Sequence, residues 1–136
     1  MNAPSQWPVV AAVSVGGAIG ACGRYGAGLL WSTPAPGFPW TTLLVNITGC
    51  AAMGVLMVLI TDLRSPHRLV RPFLGTGILG GWTTFSTWSQ DLERQLDDGR
   101  AAAALAYAGL TLAGALLAVT LAATGTRALI RHRETP

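Results

Sequence analysis

The run Gly75-Thr76-Gly77-Ile78-Leu79-Gly80-Gly81-Trp82-Thr83-Thr84-Phe85-Ser86-Thr87-Trp88-Ser89-Gln90-Asp91 decides how this chain is read. It belongs to a segment long enough to cross a bilayer, yet glycines and hydroxyl residues crowd it, so a plain uninterrupted helix is not expected there. In hydrocarbon every backbone N–H and C=O must be satisfied without water, and a helix breaks at that depth only where protein or a wet cavity receives the freed groups. Interrupted spans of this kind commonly hold an ion or a substrate.

The rest of the chain fits a membrane setting. Of 136 residues, 51% are hydrophobic and 11% charged, with a mean hydropathy of +0.46; a soluble domain carries roughly 25% charged residues. At about 20 apolar residues per crossing, four spans use most of the length and leave one compact all-α domain with no room for a soluble one. The expected spans are 9–31, 41–60, 72–90 and 101–123, the third being the broken one. No arginine or lysine precedes the first apolar segment to form the charged start of a cleavable signal peptide, so that segment is expected to be retained.

Each span carries a few residues that stand out. Gly16 and Gly20 give the first a small-residue face for close helix packing. Arg24 lies toward its far end, within snorkelling reach of the interface, as an anchor or as a functional charge. Pro34, Pro36, Gly37 and Pro39 make a tight uncharged connection flanked by Trp31 and Trp40. On the second span Thr42, Asn46 and Gly49 share one face. An amide at mid-span has two readings, an interhelical hydrogen bond or the lining of a wet path. In the third, Pro72 suits a first helical turn. Gly77, Gly80 and Gly81 permit close contact, or else an unwound turn whose bare carbonyls suit a hard cation such as Na+. Phe85 and Trp88, three apart, either pack together or aim their positive ring edges at an anion, beside the hydroxyls of Thr83, Thr84, Ser86 and Thr87. Tyr107, Thr111 and Gly114 form a stripe on the fourth span.

Charge supplies orientation. All nine basic residues are arginines and the net charge is +3. The loop at 62–71 (Arg64, Arg68, Arg71) and the tail (Arg127, Arg131, Arg133) hold six, whereas the acidic loop expected at 91–100 holds Arg94 and Arg100, so both termini are expected in the cytoplasm. No basic block alternates with aromatics, which argues against nucleic acid as a partner. Cys22 and Cys50 read as buried thiols, and His67 and His132 lack a metal-ligand pattern. No nucleophile, base and metal set converges at one depth, so an enzyme is not expected. Two other membrane classes compete. A small multidrug-resistance exporter needs a carboxylate inside the membrane, whereas Asp62, Asp91, Glu93, Asp97, Asp98 and Glu134 are expected in loops, span ends or the tail. A non-transporting accessory subunit would use its polar residues only to join helices.

Three motifs together resemble the Fluc (CrcB) fluoride channel family over nearly the whole chain: Gly16-Gly17-Ala18-Ile19-Gly20-Ala21-Cys22-Gly23-Arg24-Tyr25, Thr42-Leu43-Leu44-Val45-Asn46-Ile47-Thr48-Gly49, and above all Gly80-Gly81-Trp82-Thr83-Thr84-Phe85-Ser86-Thr87. The resemblance implies an all-α integral membrane protein of four helices, paired antiparallel with dual topology, with two pores at the dimer interface and a bilayer around it. It implies passive export of fluoride across the inner (plasma) membrane. Asn46 would donate to the anion, Phe85 would turn a ring edge to it, Ser86 and Thr87 would face the same path, and Tyr107 and Thr111 would form a polar track. Arg24 would sit at the vestibule, and carbonyls of Gly80 and Thr83 from each subunit would hold a structural, untransported Na+. The second aromatic of the family's pair is usually phenylalanine; here it is Trp88, with an N–H of its own. The six-to-two arginine split suggests a fixed orientation, hence a paralogue of opposite bias as an alternative to self-pairing.

Overall fold

The computed structural model describes residues 5–33, 36–62 and 67–134; Pro34 and Arg64 of the expected connections lie outside them. The helices are α1 (Trp7–Leu30), α2 (Trp40–Asp62), α3, α4 (Ser86–Asp97) and α5 (Ala101–Glu134). We use α3 for a π-wound stretch, Arg71–Leu79, together with the α-helical turn Gly80–Trp82 that continues it. No strand occurs among the described residues. Three helices, α1, α2 and α5, are each long and apolar enough to cross a membrane. The segment between α2 and α5 is interrupted at 83–85.

Glycine contacts give the helix directions. Gly16 faces Phe73 and Gly77, and Gly20 faces Ile78 and Trp82, so α1 and α3 run parallel. Ile47 meets Gly114, and Gly54 meets Val119 through Ala123, so α2 and α5 also run parallel. Thr42 bonds Asp91 while Asn46 bonds Thr84, which makes α2 antiparallel to the α3–α4 segment. The start of α1, the end of α5 and the described arginines Arg68, Arg71, Arg127 and Arg131 therefore share one end of the bundle, and Arg94 and Arg100 occupy the other.

Small residues bring α1 and α3 together backbone to backbone. A Cβ on Gly77 would lie 2.9 Å from the Gly16 Cα, one on Gly20 would run into the Ile78 carbonyl, and one on Gly81 into the Gly17 carbonyl. In lipid, where burying apolar side chains gains little, such close van der Waals contact is what joins helices. The interior proper is thin: Leu43, Val45, Val58, Ala104 and Tyr107 are buried, while only 11% of the α1 membrane window and 17% of the α5 window are covered within the subunit. Most of the apolar surface thus faces outward, toward lipid or another chain.

Two boundaries differ from expectation. Residues 91–97 are not a loop; α4 continues through Asp97. Its acidic residues Glu93 and Asp97 form a solvated helix face, and the stop is Gly99, whose φ of 70° lets Gly99 N–H bond Leu96 O and Arg100 N–H bond Gln95 O. At the other end α5 runs on to Glu134, 34 residues or about 51 Å at 1.5 Å per residue, well beyond the expected boundary near 123.

Candidate functional site at the helix break

The interruption lies at Thr83–Phe85, beginning two residues beyond the Gly80-Gly81 pair, for which close contact and an unwound turn were the alternatives. Gly80 and Gly81 are helical, and Thr83 turns extended with ψ 156°. Several of the main-chain groups released there find new partners. The Thr84 N–H, which would bond Gly80 O in a continuous helix, bonds Asn46 Oδ1 at 2.8 Å. Asn46 Nδ2 donates back to Thr84 O at 3.0 Å. Arg24 Nε reaches from α1 to Gly81 O at 3.1 Å, replacing the N–H that Phe85 would have supplied. Thr87 N–H is taken by Thr84 Oγ1 at 3.1 Å, which caps the start of α4 and frees Thr83 O from its helical partner. The break is thus held open by an amide and a guanidinium from two neighbouring helices, the condition under which irregular backbone survives at membrane depth.

The shared face read on α2 meets this break along its length. Thr42 donates to Asp91 at 2.8 Å, Asn46 clamps Thr84, and Gly49 lets Thr83 and Trp82 come close. Beside the clamp lies a groove of about 250 Å³ lined by Asn46, Cys50, Thr83, Thr84, Phe85, Trp88, Thr111, Leu112 and Ala115. The Phe85 and Trp88 ring centroids are 5.1 Å apart and tilted by 38°, and Phe85 is 76% exposed, a large ring left bare at the break. A second cavity, about 330 Å³, lies on the other side of Thr84 and is lined by Arg24, Tyr25, Gly28, Leu29, Thr41, Thr42, Val45, Thr84 and Thr87.

The residues singled out from sequence therefore separate. Asn46, Phe85, Trp88 and Thr111 share one groove, with Thr83 in its wall; Arg24 and Thr87 share the other. Tyr107 lines neither: it is fully buried, edge-on to Phe38 at 5.6 Å, with its hydroxyl donating to Asp91 Oδ2 at 3.3 Å. Ser86 is exposed beside the break, its Oγ 3.3 Å from Thr84 Oγ1. Gly80 is exposed, and a Cβ there would meet only Gly75 O, at 3.8 Å.

Two residues have roles that sequence reasoning did not give them. Thr84, read only as a hydroxyl donor beside the rings, lines both cavities and is held through its main-chain N–H and C=O by Asn46. Asp91 is not a loop acid: its side chain is 12% exposed, is held by Thr42 and Tyr107, and lies 3.7 Å from Arg94. Among the described residues no three His, Cys, Asp or Glu side chains converge on a metal position.

A bundle of apolar helices organised around an interrupted one, with an amide, two rings and a guanidinium at the interruption, has the make-up of a multi-pass membrane protein. The chain belongs to the CrcB family: residues 11–123 match the family described as CrcB-like protein, Camphor Resistance (CrcB). It is 55% identical over 130 residues, 96% of this chain and 84% of the relative, to the fluoride-specific ion channel FluC 1 of Streptomyces coelicolor. It is 48% identical to FluC 2 of Thermobifida fusca, over 92% of this chain and 93% of that one. It is 45% identical to FluC 2 of Nocardia farcinica, over 89% and 90% respectively. The family is one of ion channels, not enzymes.

Proposed function

We propose that this protein is a fluoride-selective channel that lets cytoplasmic fluoride leave passively. The observation that carries the reading is the convergence of Asn46, Phe85, Trp88 and Thr111 in one groove beside a helix break, in a chain whose relatives are fluoride-specific ion channels. Fluoride is small and strongly hydrated, so a path must replace its water with donors at close range and still release it. Asn46 Nδ2 has two hydrogens, one bonded to Thr84 O and one for the ion. The edge of Phe85 is a weaker, uncharged donor surface beside it. Arg24, in the second cavity, raises the local anion concentration without standing in the groove.

The broken segment counts as a fourth span, and the working unit is two subunits of opposite orientation in the inner membrane. Exposure of Phe85 and Gly80, and the thin interior of the single subunit, support a partner on that face. The partner is a second copy or a paralogue of reversed arginine bias. The carbonyls of Gly80 and Thr83 fit a hard cation: the amide hydrogens that would occupy them are bonded to Asn46 and Thr84 instead. Two such oxygens from each subunit would hold Na+, whose positive charge favours anions nearby. Fluoride efflux from liposomes, followed by electrode with chloride as control, tests the reading: rapid fluoride-selective release is expected, and none, alone or with a paralogue, would defeat it.

A further inference from the structure

The residues that stand level with one another set the depth of each charge. At one end of the bundle Phe38 packs tilted against Trp40 at 4.6 Å and edge-on to Tyr107 at 5.6 Å, and the Thr41 hydroxyl donates to Trp31 O, so Trp31, Trp40 and Tyr107 share a level. From Tyr107 to Arg127 α5 advances about 30 Å at 1.5 Å per residue, the thickness of a bilayer's hydrocarbon core. Arg71 reaches the same far level on another helix. Gly75 lies against Met53 and Leu56 of antiparallel α2, which puts Arg71, about one turn earlier, level with the last turns of α2; Gly54 meets Val119 through Ala123, which puts those turns level with Arg127. Arg68 and Arg131 lie about one turn further out. The hydrocarbon is thus bounded by indole rings at one end and by guanidinium groups at the other.

All four of these arginines are exposed, and among the described residues Arg68, Arg71 and Arg127 have no acidic partner; the ion pair of Arg94 with Asp91 is at the opposite end. They do not converge. Among the described residues α3 and α5 make no contact with each other, so Arg71 and Arg127 stand apart around the bundle end. Guanidinium groups at the height of lipid phosphates, spread around a bundle, suit a ring of headgroups rather than one small anion in a pocket. Each presents parallel N–H donors that match the oxygens of a phosphate. We propose that the arginine end of this bundle binds the phosphates of acidic phospholipids, with Arg71 and Arg127 at the edge of the hydrocarbon and Arg68 and Arg131 above it. A zwitterionic headgroup presents the same phosphate beside a compensating cation, so acidic lipids are preferred. The charge that orients the chain in the membrane then also selects the lipids around that end. This holds whatever ion passes the groove at the break.

Thermal melts of the purified protein in detergent micelles doped with phosphatidylglycerol or with phosphatidylcholine test the proposal. Phosphatidylglycerol should raise the melting temperature more. The mole fraction that gives half of that rise should increase about fivefold for Arg71→Gln or Arg127→Gln and roughly thirtyfold for the two together, the size expected of one and two arginines at an acidic surface. Arg71→Lys with Arg127→Lys keeps the charges and should keep most of the effect. Arg94→Gln, at the opposite end, should leave it unchanged, and an equal loss there would overturn the proposal. So would an equal rise with phosphatidylcholine, or with sodium phosphate in place of the lipid. A double glutamine variant that falls apart equally in both lipids would overturn it as well, because the arginines would then serve a second subunit. Wild-type protein supplies a further check. Its phosphatidylglycerol-dependent rise should shrink severalfold between about 50 and about 500 mM sodium chloride, since exposed charges are screened over that range; a rise indifferent to salt would contradict a headgroup contact.

Discussion

Asn46 makes two bonds to Thr84 across helices and stands among the residues that line the groove. From sequence its amide read as either an interhelical hydrogen bond or the lining of a wet path; contact with an ion is part of the proposed function. Asn46→Ala removes both bonds and strands the Thr84 N–H and C=O, so the variant should lose about 2–4 kcal/mol of stability, read as earlier unfolding or dissociation in a detergent melt. A melt equal to wild type would mean that the break does not depend on the clamp. Phe85 contributes a ring edge rather than a bond. Phe85→Ile should lower fluoride throughput while the assembly elutes unchanged, and full throughput in an intact assembly would end the ring-edge role. That Asn46, Phe85, Trp88 and Thr111 could come together was legible at this scale; how their hydroxyls and amide are bonded was not. The hydroxyls of Thr83, Thr84 and Thr111 looked like donors to an ion, but each serves a nearby oxygen of the protein. Hydroxyl orientation depends on the local turn, which sequence spacing does not supply.

Among the elements, the sequence placed α1 and α2 to within two residues at each end, because lipid imposes a length and Pro, Gly and Trp mark the ends. It left the position of the break undecided. Gly80 and Gly81 read as close helix contact or as an unwound turn, and the chain takes the first: it stays helical through Trp82, Gly81 lets α1 approach, and Asn46 and Arg24 hold the backbone open just beyond. Those partners are 57 and 38 residues away along the chain, beyond the reach of local pattern. Acidic composition also misled at 91–97, where Gly99 was the better stop signal. The α1–α3 contact yields a paired expectation. Gly20→Ala pushes a methyl into the Ile78 carbonyl and should destabilise the subunit by 1 kcal/mol or more, in the range of an overpacked core. Gly17→Ala meets nothing within 4 Å and should stay within about 0.5 kcal/mol of wild type. Equal melting temperatures for the two variants would contradict the backbone contact.

For the whole molecule, the parallel pairing of α1 with α3 and of α2 with α5 gathers the described arginines Arg68, Arg71, Arg127 and Arg131 with the start of α1 and the end of α5 at one end, and Arg94 and Arg100 at the other. A bias of that size favours one orientation in the membrane. Cysteine labelling of a tagged C-terminus from either side should find it predominantly cytoplasmic when the chain is expressed alone; labelling divided equally between the two sides would point to self-pairing in both orientations. On the proposed reading, a second subunit covers the exposed Phe85.

Passive and selective passage of fluoride through the assembled groove is the claim on which the rest depends. Current through the purified protein in a planar bilayer, with different fluoride concentrations on the two sides and equal chloride and pH, tests it most directly. The account predicts a reversal potential that follows the fluoride gradient and ignores changes in chloride or proton gradients; a reversal potential that tracks protons or chloride, or the absence of current, would contradict it.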